Sequence, residues 1–282
     1  MKPAIAPVTF DAGRLRIDRG RGGMILDGKR LRSVGRIVSA FAPFDRYGVA
    51  YMVAANRCAD DAATAYGALA VADEMRAVWA EWDERRDAGT RAHDFLEALA
   101  LGRPAFPDDA MQRGILAWWE AQPSLEVVAF EQCVVDPDEW YGGFLDLVIR
   151  RGRTETIIID CKTGSWSNTG RNRLSPPLHH LTDGKLVTTA LQAGLYRRAL
   201  TRHYAFTSDY AMALHVAPDG RVREHVLPDF DAELLHLLKQ ESLGENALWV
   251  PPAMAKLPRQ PSKPRLATLP LFCKAPVRKA GT

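Results

Sequence analysis

Several things that a sequence of this length often carries are missing here, and each absence removes a class of protein. No apolar run approaches the roughly 18 residues that a membrane-crossing helix needs. The opening segment MKPAIAPVTFDAGR has no apolar stretch of the kind that directs export, so a cytoplasmic location, in a bacterial or phage-infected cell, is the expectation. Cysteines number four, and Cys58, Cys133, Cys161 and Cys273 form no CxxC pair, which argues against a zinc knuckle or a disulfide framework. No GxxxxGK[ST] loop is present to cradle a nucleotide triphosphate, so the chain holds no ATPase motor. Acidic residues stop at Glu245, while seven cations and seven prolines follow. The stretch 246–282 therefore reads as an extended, weakly folded basic tail. Such a tail suits contact with a phosphate backbone or a partner, and equally a solubilising extension.

What remains is ordinary globular material. The 282 residues are 47% hydrophobic and 25% charged, and the net charge of +3 is too small to argue nucleic-acid binding by itself. Thr9–Asp18 and Gly23–Leu31 look strand-like, the second turning at Asp27–Gly28, so 1–32 reads as a β-hairpin region. Ser33 is placed to cap a short helix ahead of Pro43. Asp60–Arg86 is free of proline, with Met75, Val78, Trp79 and Trp82 at helical spacing. Gly89 reads as a break, Thr90 as the cap of a new helix, and Pro107–Asp109 as the start of another. A β block follows in Leu125–Val135, Trp140–Arg150 and Thr154–Lys162. After a polar loop, Thr163–Asp183, come the helix Gly184–His203, a hairpin of Ser208–Val216 with Arg221–Val226, and the helix Ala232–Leu243. One α/β domain over 33–245, with a helical N-terminal part, accounts for this order better than two independent domains.

The chemistry concentrates in the β block. Side chains alternate along a strand, so Asp160 and Lys162 share one face and Cys161 takes the other. If Trp140–Arg150 and Thr154–Lys162 pair as a hairpin, Asp146 comes within reach of both. Two carboxylates beside a lysine make a site for a hard divalent cation and a phosphate. Taken singly the residues say little. An Asp-x-Lys is most often a solvated edge, and His93, or the pair Gln192 and Tyr196 on one helix face, more often packs or lines a surface. Glu131, inside the apolar stretch VVAFEQCVV, is less ordinary, because burying an unpaired carboxylate is expensive. Arg171, Arg173 and Lys185 flank the loop after the last strand of the block, where they could touch phosphates. His179–His180 has no carboxylate at ligand spacing to make it a metal site.

In combination these elements resemble the RecB-type branch of the PD-(D/E)XK nuclease superfamily, in particular phage exonucleases and the mitochondrial genome-maintenance exonuclease. That family has a GxxxH element, a GxxD strand, a DxK or ExK strand and a QxxxY helix. Here they are Gly89–His93, Gly143–Asp146, Asp160–Lys162 and Gln192–Tyr196, in that order, within roughly 33–200. The resemblance implies a restriction-endonuclease-like αβββαβ core with a mixed central sheet flanked by helices. It also implies a Mg²⁺- or Mn²⁺-dependent deoxyribonuclease acting on single-stranded or free DNA ends, in repair, recombination or phage DNA metabolism, with a recombination or replication protein as a further partner. By the same resemblance His93, Asp146, Asp160 and the backbone carbonyl of Cys161 hold the metal, and Lys162 serves the attacking water or the phosphate. Glu131 supports the site, and Gln192 and Tyr196 shape it and position the strand. Leu145 stands where the superfamily's proline would be. The four cysteines that hold an iron–sulfur cluster in some relatives have no counterpart, so no cluster is expected. A structure-specific endonuclease on the same core, and a catalytically silent DNA-binding module, are the competing expectations.

Overall fold

The computed structural model describes residues 14–18, 23–42, 44–59, 67–152, 154–170 and 172–241. The start of the strand expected from Thr9, Arg171 and the tail from 246 fall outside these residues. A small antiparallel sheet comes first: β1 (Leu15–Asp18), β2 (Gly23–Leu26) and β3 (Lys29–Arg30). Asp27 and Gly28 both have positive φ, 49° and 77°, as a tight two-residue turn with the hairpin twist requires. A two-residue strand, β4 (Arg32–Ser33), runs directly into helix α1 (Val34–Phe41). Ser33 caps that helix, its hydroxyl accepting from the Arg36 amide at 3.2 Å.

Two helices then pair. The first, α2 (Arg46–Arg57), carries an Asp45 cap and was not anticipated from sequence, because its buried face is only Ala50 and Ala54. The second, α3 (Gly67–Ala100), is a single rod of 34 residues, about 51 Å long. It runs straight through Gly89, where the sequence suggested a break, and Thr90 returns its hydroxyl to the Arg86 carbonyl instead of capping a new helix. Gly89 has a packing reason. A Cβ there would lie 2.7 Å from Thr163 Oγ1, so any side chain would force Thr163 to move where α3 rests against the end of the strand that carries Asp160 and Lys162.

After α4 (Ala110–Glu120) come β5 (Leu125–Asp136), β6 (Tyr141–Arg151) and β7 (Glu155–Thr163). They are followed by α5 (Lys185–His203), β8 (Tyr210–Val216), β9 (Val222–Val226) and α6 (Asp231–Glu241). The result is a mixed α/β fold whose main sheet combines antiparallel and parallel pairs in the order β4-β6-β7-β8-β9, with β5 along the other side of β6. The β7–β8 pair is parallel, the connection passing through α5, and β6 pairs antiparallel with both β5 and β7. One sheet face packs on α1, α5 and α6 through Ile37, Leu191, Leu195 and Leu234; the other packs on α3 and α4 through Phe95, Leu96 and Ile115. Covered on both sides, Ile157, Ile158 and Ile159 are all fully buried. Each such side chain contributes about 1.5–3 kcal/mol. Among the described residues no helix is long and apolar enough to cross a membrane.

Candidate functional site

The site forms where one side of β6 changes neighbours. Strand β7 pairs with β6 from Arg151 to Leu147 and then departs, while β4 pairs with β6 at Tyr141 and Gly142. Since β5 occupies the opposite side throughout, residues 143–146 of β6 face a gap between the two partners. Asp146 sits at its edge, and its Oδ2 accepts from the Cys161 amide at 2.8 Å, a side chain standing in for the ladder bond that the departing strand no longer supplies.

The same point is irregular across the sheet. The pairs Phe130↔Leu147 and Gln132↔Leu145 put Glu131 opposite Asp146. Leu147 and Phe130 belong to the core beneath α3 and α4, whereas Leu145 belongs to the core beneath α1 and α5. Side chains therefore exchange faces at the Glu131/Asp146 level, and Glu131 has a positive φ of 43°, an unfavourable conformation for a side chain with a Cβ. Strict alternation could not foresee this. For β7 alternation holds: Cys161 is buried in the α3–α4 core, while Asp160 is flanked by Lys162, whose Nζ lies 2.7 Å from Asp160 Oδ2.

Helices complete the group. His93, from α3, brings Nδ1 to 3.8 Å from Asp146 Oδ2. Tyr196, on α5, lies against Gly143, where any side chain would collide with the phenol. Gln192, one turn earlier, points instead toward Gly35 in the first turn of α1, its Nε2 3.7 Å from where a Cβ would be. Lys185 donates to the Thr163 carbonyl at 3.0 Å, close enough to Lys162 that the second cation adds to burial in lowering its pKa. Arg173 is exposed and donates to the His180 carbonyl at 2.8 Å. His180 also meets Glu233, 3.2 Å away, a carboxylate 53 residues distant that sequence spacing could not pair with it.

The electrostatics describe too many acids with too few counter-charges. Burial pushes the Asp146 carboxyl well above the ordinary carboxylate range, and the negative charge of Asp160 pushes it further. Glu131 is exposed, not buried as its apolar neighbours suggested, because its positive φ turns it out of the alternation. Partial desolvation, with Glu97 and Asp94 on α3, still raises its pKa. Burial raises the Tyr196 phenol, helped by Asp160 and Asp146, so it stays protonated. Burial opposes the Lys162 ammonium, but Asp160 and Asp146 outweigh it, and the net shift is upward. Burial and Lys162 depress His93, leaving a neutral imidazole at neutral pH. Asp160 Oδ2 is buried and paired with the Lys162 ammonium 2.7 Å away. Hard carboxylate oxygens from two strands and one neutral imidazole fit a divalent cation.

Beside the gap lies a cleft of about 420 Å³, bounded by Arg30, Arg32, Arg36, Gly142, Phe144 and Tyr196. Arg32 is fixed by donating to the Glu139 carbonyl at 2.6 Å. The first turn of α1 opens onto the same space.

A second group escaped the sequence reading. Asp136, Asp138 and His203 hold three ligand atoms within 4.8 Å of one another and could bind a metal ion of unspecified kind. Their spacing is tighter than that of the Asp146 group, but cations already occupy the surroundings. Arg202 reaches Asp136 at 3.0 Å and Asp138 at 2.9 Å, and His203 lies 3.1 Å from Asp136. The backbone amides of Asp138 and Glu139 also donate to Asp136. An Asp-x-Asp in a β-turn gave no sequence signal, since its partners come from the end of α5.

No family model matches the chain, and no curated protein matches it. Among solved structures, the crystal structure of SSO0001 is similar at 17% identity, with a TM-score of 0.27, over 48% of this chain and 58% of that one. A likeness of that extent carries neither fold nor function across, so both rest on the residues themselves.

Proposed function

We propose that this chain is a metal-dependent deoxyribonuclease of the PD-(D/E)XK kind, hydrolysing phosphodiester bonds at single-stranded DNA ends. The observation that carries the reading is the meeting of Asp146, Asp160 and Lys162 at the point where β6 and β7 separate, with His93 and Tyr196 alongside. These are the residues that the motif resemblance singles out, and the acids lack sufficient internal counter-charge. Asp146, Asp160 and His93, with the Cys161 carbonyl, would hold Mg²⁺ or Mn²⁺. Bound there, the cation supplies charge neutralisation at the phosphate and a water of lowered pKa.

The chain's own groups have defined parts. Lys162, with its pKa raised, remains an ammonium, so it stabilises charge on a phosphate oxygen rather than removing a proton. Tyr196 keeps its proton and serves as a donor at the cleft. The arginine-lined cleft supplies positive charge for the strand next to the reacting phosphate. The preference for ends comes from the resemblance.

End-labelled single-stranded oligonucleotides incubated with the full chain and Mn²⁺ test the reading. Wild type should cleave, and Asp160→Ala and Lys162→Ala should not. Wild type as inactive as both variants, with binding intact, would replace the enzyme with a silent binding module. A closed circular single strand separates the remaining rival: an exonuclease leaves it whole, whereas an endonuclease opens it.

A further inference from the structure

We propose that Phe144 is a stacking platform for one base of a single strand lying in the cleft. The argument starts from a side chain that folding does not explain. Strand β6 is buried at Tyr141, Gly142, Gly143, Leu145 and Leu147, yet Phe144, in the middle of this run, is 40% exposed. Among the described residues it joins none of the apolar clusters, and no aromatic ring packs on it. Its cross-strand partner, Cys133, turns to Met24 instead, with Sγ 3.7 Å from Sδ. A phenylalanine left at a wet surface forgoes much of the stabilisation its burial would bring.

Other large apolar residues are exposed too, but they do not line the cleft. Phe44 and Tyr47 lean on Trp82 and Trp79, and Phe106 stands in the connection between α3 and α4. Phe144 alone among them borders the cleft, with Arg30 and Arg36 also on the lining. It lies on the face of β6 where Gly142 meets Met24, not the face that Gly143 turns to Tyr196. An aromatic face beside a cationic rim is the pairing that single-stranded nucleic acid recognises, the ring taking the base and the cations the backbone. Phe144 is two residues from Asp146, about 7 Å along the strand. That is the span of one or two nucleotides, so the stacked base belongs to the first or second nucleotide from the reacting phosphate.

The identity of the strand rests on the nuclease reading, but the platform can be tested without cleavage. Twelve-residue oligodeoxynucleotides, each with 2-aminopurine at one successive position from the end, are titrated with the full chain in EDTA. Fluorescence reports stacking and anisotropy reports affinity. Wild type should quench one position strongly. Phe144→Ala should lose that quenching and bind about tenfold more weakly, and Phe144→Trp should restore both. Phe144→Leu, which refills the covered part of the site without an aromatic face, should melt near the wild type and still fail to quench, which separates lost stacking from lost folding. Equal binding and quenching in wild type and Phe144→Ala overturns the platform even if both cleave DNA in Mn²⁺. Quenching by a wild type that cleaves nothing sustains the platform and removes the nuclease. Binding of 2-aminopurine deoxyribonucleoside monophosphate as tight as that of the oligonucleotides would make the ligand a free nucleotide and end the proposal for a strand.

Discussion

Two acidic groups lie on the same β5–β6 pair, about 17 Å apart along β6, and they have opposite electrostatic characters. Asp136 is completely buried, yet two turn amides and Arg202 satisfy it, with His203 Nε2 3.1 Å away. Among the described residues Asp160 pairs with the Lys162 ammonium, while Asp146 takes the Cys161 amide and has a neutral imidazole 3.8 Å away. By spacing alone, the first group is the better cation site. By charge balance it is the worse, because a metal there would have to displace or repel a guanidinium already in place. Proximity of ligands shows where a cation could fit; unsatisfied charge shows where one is wanted. The first group reads as the clasp that fastens the end of α5 to the β5–β6 turn, and the second as the site of the proposed chemistry.

The largest test of this contrast is catalytic. Asp160→Ala should reduce Mn²⁺-supported cleavage by at least about 10³-fold, a loss on the order of 4 kcal/mol in barrier, whereas Asp138→Asn should leave the rate near wild type. Reversal of those two outcomes would exchange the roles of the groups. Asp136→Ala should act on stability instead, lowering it by about 1–3 kcal/mol in a denaturant titration, because the turn amides of Asp138 and Glu139 lose their acceptor while Arg202 keeps Asp138. Next in size is a thermal shift: Mn²⁺ should raise the melting temperature of wild type and of Asp138→Asn but not of Asp160→Asn. Smaller again is a gain. Asp146 has its pKa raised in the folded chain, so the fold binds a proton more tightly than the unfolded state does. Metal-free stability should therefore fall as pH climbs above the ordinary carboxylate range. Asp146→Asn should flatten that slope and stabilise the metal-free protein at alkaline pH by on the order of 1–3 kcal/mol, measured by unfolding in EDTA.

Much of this was legible in the sequence, for physical reasons that differ by element. The run of three isoleucines before Asp160 marks a strand covered on both faces, and alternation then places Cys161 in the core and Lys162 beside Asp160. Ser33 announced its helix by capping chemistry, and Pro107–Asp109 marked the start of another, which the Asp109 carboxylate caps. Gly89 misled, because glycine is read locally as a helix breaker while its reason here is a contact with Thr163, 74 residues away in sequence. The exchange of faces at Glu131 and Asp146 was hidden too, since one residue at positive φ leaves the residue pattern almost unchanged and alters only where side chains project. The Asp136 clasp was invisible because its counter-charges come from another element, and the gap between β7 and β4 because a two-residue strand carries no pattern.

The contact at Gly89 has a mechanical side. Helix α3 is a single rod that rests on the strand carrying Asp160 and Lys162 at Gly89 and again through Ala92, Phe95 and Leu96, which share a core with Cys161. His93 is about 6 Å along the axis from Gly89, and the first residue of the helix is about 33 Å away in the other direction. That contact patch is thus the fulcrum of a very unequal lever. A shim of one methyl group there would shift the imidazole by little more than its own thickness, but the far arm, with α2 riding on it, would sweep several times as far. Whatever α2 touches in the working protein would feel such a change before the chemistry did.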